Sequence, residues 1–92
     1  DAALYAFDRH PGTSFINNGT LSFDIPSDVK GYTMLLKLQN DTKVEIAQLD
    51  KKGKELSVST VDAPLYSIEC AKGATQIQVK GQVEIYEIIG NR

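Results

Sequence analysis

Thr20-Leu21-Ser22-Phe23-Asp24-Ile25-Pro26 decides the fold class, because its three apolar side chains fall on alternate positions between hydroxylic and acidic ones. Side chains along an extended strand point to opposite faces with period two. This stretch therefore lays Leu21, Phe23 and Ile25 on a buried face and leaves Thr20, Ser22 and Asp24 in water. A helix would scatter the same residues around its circumference. Pro26 removes a backbone donor and ends the ladder.

The same signal runs outward in both directions. Upstream, a short strand fits over 4–7. Downstream, Pro26-Ser27-Asp28-Val29-Lys30-Gly31 is a turn-rich connection. Over 32–38 the chain is apolar on both faces, with Met34, Leu36 and Leu38 on one and Leu35 on the other, as a central strand requires. Asn40-Asp41 marks a turn. Over 42–49 Val44 and Ile46 face one way before the apolar side shifts to Ala47 and Leu49, which predicts a bulge. Asp50-Lys51-Lys52-Gly53-Lys54 is a charged hairpin loop with Gly53 free to take positive φ. Strands follow over 56–61, 64–70, 76–80 and 83–89, with Ala71-Lys72-Gly73-Ala74 as one turn and Gly81-Gln82 as a reversal. About eight strands with turn signals every ten residues or so predict an all-β fold, a compact jelly-roll sandwich of mostly antiparallel strands. No window carries a helix of ordinary length.

A chain of 92 residues makes one domain, over 1–92, with a single core. Its hydrophobic fraction of 41% and charged fraction of 24% are those of a folded protein. Ten Lys/Arg against twelve Asp/Glu are interspersed to a net charge of −2. Nucleic acid needs a basic footprint that this balance does not supply, and an anionic membrane needs a polybasic run. No apolar run approaches a membrane span. Cys70 is the single cysteine, so no internal disulfide forms. Alternation places Cys70 with Tyr66 and Ile68, as a small buried hydrophobe.

Catalytic parts are missing by inventory. His10 is the single imidazole, so any nucleophile–base–orienter set would hang on it. One His and one distant Cys do not make a zinc site. The seven glycines are scattered and form no phosphate loop. Two tripeptides, Asn18-Gly19-Thr20 and Asn40-Asp41-Thr42, have the form of glycosylation sequons.

The most distinctive segment is Ala6-Phe7-Asp8-Arg9-His10-Pro11-Gly12-Thr13-Ser14-Phe15. Read from its residues, it is a strand end and a tight loop. Asp8 accepts backbone N–H bonds, Pro11-Gly12 reverses the chain, Thr13 bonds back and Phe15 anchors the loop from below. The carboxylate, hydroxyl and carbonyl oxygens of the same loop also suit a hard cation such as Ca²⁺.

Ala6, Asp8, Thr13 and Phe15 are spaced as in the N-terminal signature of discoidin domains. That galactose-binding-like group is also known as coagulation-factor type-C domains or family-32 carbohydrate-binding modules, and this chain resembles it in order through its later strands. Arg9 and His10 stand where the family carries Gly and Asn or Asp, and Phe15 where it carries Trp. The resemblance implies a non-catalytic accessory module of a secreted or cell-surface carbohydrate-active enzyme such as a glycoside hydrolase, in an extracellular, periplasmic or surface setting. It implies a glycan ligand gripped by loops at one end, with Arg9, His10, Asn17 and Asn18 bonding hydroxyls and Tyr32 or Tyr66 as the stacking platform. It also implies a structural Ca²⁺ on Asp8 and Thr13, with Glu84 or Glu87 as a third ligand, and contacts with other domains of a parent enzyme. A structural or protein-interaction module of adhesion or immunoglobulin-like type is the alternative reading of the same strand pattern. An exposed Tyr, Arg9, His10 and Asn cluster would favour the first; a flat edge strand or apolar face patch would favour the second.

Overall fold

The structure, a computed structural model, describes residues 3–5, 15–38 and 43–91. Among the described residues it is all-β, with seven strands: β1 (Ala3–Tyr5), β2 (Phe15–Asp24), β3 (Gly31–Leu38), β4 (Glu45–Leu49), β5 (Glu55–Thr60), β6 (Leu65–Glu69) and β7 (Gln76–Asn91). All pairings are antiparallel and join one curled sheet.

The sheet is built around β7. One edge of this strand carries β2 along Gln76–Ile85 and β1 along Ile89–Asn91. The other carries β4 along Gln76–Lys80 and β3 along Val83–Asn91. The expected reversal at Gly81-Gln82 is therefore corrected: 76–80 and 83–89 are two halves of one strand, and the count falls from eight to seven. Gly81 bends the strand at φ 121° rather than turning it, with Gly19 of β2 directly opposite. A Cβ on Gly81 would lie 2.6 Å from the Lys43 carbonyl oxygen, so the bend brings the approach to β4 against a bare backbone.

Alternation on each strand fills one inner face. Ile77, Val79, Val83 and Ile85 of β7 are fully buried, then Ile88, so the inward phase slips by one. The slip is a bulge. Leu35 of β3 pairs with Glu87 and Leu36 with Ile85, leaving Tyr86 as the extra residue. Tyr32, Met34 and Leu36 meet this face from β3, and Val44 and Ile46 from β4 and its approach. Leu21 and Phe23 pack against it from β2, as their alternation requires, and Tyr66, Ile68 and Cys70 from β6 and its end. Leu35 faces the other way and is exposed, so β3 is central in its pairing but buried on one face only. The bulge expected where the apolar side shifts to Ala47 and Leu49 is not in β4: β4 pairs β7 without a shift and is buried on both faces, and the irregularity between Gln48 and Leu49 leaves Leu56 of β5 as the extra residue. Loops follow their turn chemistry. The Asp50 carboxylate accepts from the backbone N–H groups of Lys52 and Lys54, which holds it below the usual carboxylate range, and Gly53 takes φ 83°.

Two buried amides fasten the curl. The Asn17 Nδ2 group donates to the carbonyls of Gly19 (3.2 Å), Val79 (3.3 Å) and Gly81 (3.1 Å), pinning the bend from inside. Gln48 of β4 donates to the Glu69 carbonyl at 2.9 Å and accepts from the Ala71 N–H at 2.6 Å. In sheet order β4 and the end of β6 are separated by β7 and β3. Only a curled sheet lets one side chain span that gap.

Candidate functional site

Among the described residues, those singled out from sequence do not assemble into one cleft. Arg9, His10, Asp8 and Thr13 lie outside the described residues. Tyr32 is fully buried, edge-on to the Phe23 ring at 5.3 Å between centroids, and presents no face to a sugar. Asn17 is spent on the three carbonyls of the bend. Asn18 is exposed and accepts from the Gln82 amide at 3.0 Å across the β2–β7 pair. Tyr66 is half-buried on β6, opposite Met34 and packed against the core. Asn18 and Tyr66 thus sit on strands separated by β7 and β3, and on opposite faces.

The candidate third metal ligands fare differently. Glu84 and Glu87 are half-buried on β7, both engaged with neighbours. Tyr5 pairs with Ile89 and Phe15 with Ile85, on either side of Glu87 in β7. Among the described residues no three His, Cys, Asp or Glu side chains converge as a metal group.

Among the described residues a hollow lies elsewhere, over the junction of β3, β6 and the end of β7. It has a volume of about 610 Å³ and is lined by the polar residues Lys30, Thr33, Ser67, Glu69 and Asn91, together with Gly31, Tyr32, Ile68 and Cys70. Register assembles it. Gly31 stands opposite Glu69 on one side and Asn91 on the other, and Thr33 opposite Ser67. Gly31 provides the floor, since a Cβ there would meet the Ile68 carbonyl at 2.6 Å. The Asn91 amide donates to the Thr33 hydroxyl at 3.0 Å. A second hollow, of about 490 Å³, adjoins it and shares Lys30 and Cys70. Burial pushes the Cys70 thiol up, which keeps it protonated at neutral pH and a poor nucleophile. None of the five polar side chains stood out in the sequence, because three separate segments supply them. The available signal was Gly31 at the head of an apolar strand, where a glycine marks close backbone approach.

Tyr32 gives a test of the interior beside this groove. Its buried hydroxyl has no hydrogen-bond partner, and burial, aided by the nearby Cys70, pushes its pKa up to about 12. Tyr32→Phe is expected to be neutral at pH 7 or to stabilise by up to about 1 kcal/mol, since an unpaired buried hydroxyl costs free energy. The folded value lies above the unfolded one near 10. The wild-type fold therefore keeps its full margin below pH 10 and loses about 2–3 kcal/mol as pH rises through 12. Urea unfolding across that window should decline for the wild type and less for Tyr32→Phe; parallel declines would assign the alkaline loss to other groups.

No family model, no curated protein and no solved structure matches this chain.

Proposed function

We propose that this chain is a non-catalytic accessory module that binds carbohydrate, attached to a secreted or cell-surface carbohydrate-active enzyme and built as a discoidin-like jelly roll. The observation that carries this reading is the spacing of Ala6, Asp8, Thr13 and Phe15 together with where that segment is tied down. Tyr5, just before it, pairs with Ile89, and Phe15 pairs with Ile85; these two positions of β7 frame Glu87 and adjoin Glu84. Asp8, Thr13 and Glu84 or Glu87 supply the oxygen donors that a structural Ca²⁺ takes.

A glycan array, run with and without chelator, tests the module. Binding that is lost on chelation supports both the ligand class and the ion. In parallel, melting in millimolar Ca²⁺ should raise the midpoint, because a ligand held only by the native state stabilises it by about 2.7 kcal/mol at a hundredfold excess over Kd. An unchanged midpoint would remove Asp8 and Thr13 as ligands.

A second reading has its own observation. Leu35 and Leu65 are cross-strand partners and remain 41% and 65% exposed, on β3 and on β6, whose far side pairs with none of the described strands. An apolar pair at an open edge suits a structural or protein-interaction module. Failure to bind any glycan on the array would favour it.

A further inference from the structure

We propose that the groove over β3, β6 and the end of β7 is the saccharide site, and that it selects neutral, hydroxyl-rich sugars over acidic or amino sugars. This rests on the carbohydrate-binding reading and assigns it a place and a selectivity. Lys30 and Glu69 line one hollow and are both exposed. Neither takes part in the ion pairs Lys43–Glu45 and Lys80–Glu55.

The groove therefore offers an ammonium with three donors, a carboxylate with acceptor sites only, two hydroxyls that do both, and the Asn91 amide. A sugar hydroxyl is donor and acceptor at once, so vicinal hydroxyls can satisfy Glu69 and Lys30 together through charge-assisted hydrogen bonds. The two charges cancel, so nothing in the lining draws a charged ligand from a distance. A sugar carboxylate drawn to Lys30 shares the hollow with the Glu69 carboxylate, and an amino group drawn to Glu69 shares it with the Lys30 ammonium. The volume of about 610 Å³ suits one or two sugar rings. Because Tyr32 is fully buried, no ring of that residue stacks on the ligand, and binding rests on polar contacts.

The test is amide-detected NMR titration of the whole chain with galactose, glucose, lactose and xylobiose, alongside glucuronate and glucosamine at the same pH. The expected result is perturbation by a neutral sugar centred on Lys30–Thr33, Ser67–Cys70 and Asn91. Glu69→Gln and Ser67→Val should each weaken it about tenfold, from loss of one charge-assisted or well-placed hydrogen bond. Lys52→Ala, in the exposed hairpin loop between β4 and β5 and remote from the groove, should leave it unchanged. Both groove positions are exposed, and an unaltered melting midpoint verifies that each variant is folded. Perturbation by a neutral sugar at Glu84–Ile89 instead would overturn the groove while leaving the carbohydrate reading intact. Silence across the whole panel would overturn both. Tenfold tighter binding of glucuronate or glucosamine would overturn the selectivity.

Discussion

Gly81→Ala is expected to lower the unfolding free energy by about 3–5 kcal/mol, a large share of what a domain of this size holds. Two costs combine. At φ 121° an L side chain is strained, by about 1–3 kcal/mol. The added Cβ also falls 2.6 Å from the Lys43 carbonyl oxygen and 3.4 Å from the Val44 Cα, so backbone must move. Val44 is a buried core residue whose carbonyl accepts from the Val61 N–H, and displacing it disturbs the entry to β4. At roughly 4–8 °C per kcal/mol the melting midpoint should fall by more than about 12 °C. Gly19→Ala, on the opposite strand, is the control. Nothing lies within 4 Å of its Cβ position, so its cost should stay near 1–2 kcal/mol. Equal losses for the two variants would show that the close approach of Lys43 does not fix the bend.

Asn17→Asp should be comparably severe at neutral pH, and its severity should depend on acidity. The amide donates to three carbonyl oxygens, and a carboxylate in its place has no proton to offer any of them. The position is buried, so the charge is also poorly solvated, for a combined loss of about 3–5 kcal/mol. Both effects raise the pKa of the introduced carboxyl in the folded state above the unfolded value near 3.9. The penalty is therefore full above the folded pKa and fades as pH falls through it toward 3.9, where the neutral acid can again donate. Unfolding in urea at several pH values from about 4 to 7 should show the deficit shrink on acidification. Asn17→Ala, which only withdraws the donor, should cost about 1–3 kcal/mol with no such dependence. A deficit for Asn17→Asp that is flat with pH would mean that the side chain does not face those carbonyls.

The parts of the fold legible in the sequence are those set by alternation. Leu21 and Phe23 of β2, Met34 and Leu36 of β3, and Ile77 and Val79 of β7 all face the core, and the hairpin at Asp50–Lys54 follows from its residues. The misreadings come from residues whose local preference and tertiary role differ. Asn17, which the resemblance implied as a ligand residue, lies within β2 and serves a bend in two paired strands. Gly81-Gln82 looks like a reversal yet lies within β7. Tyr32 shares the parity of Met34 and Leu36, so alternation already set it on the core face, against the stacking role that the resemblance implied. The groove was illegible because its five polar side chains come from segments far apart in the chain, joined only by pairing.

The central position of β7 also fixes an order of events during synthesis. Each strand in direct contact with it precedes it in the chain, and β1 pairs with its final residues. While the ribosome is still upstream of Gln76, only the β4–β5 and β3–β6 pairings have both partners available. Folding must then close loops as long as that between Tyr5 and Ile89, which makes contact order high and the rate slow for so short a chain. Until β7 arrives, β2, β3 and β4 each wait with an unmated edge. The nascent chain is most open to wrong partners in that interval, and the charged tip at Lys51, Lys52 and Lys54 is already exposed to keep it apart from its neighbours.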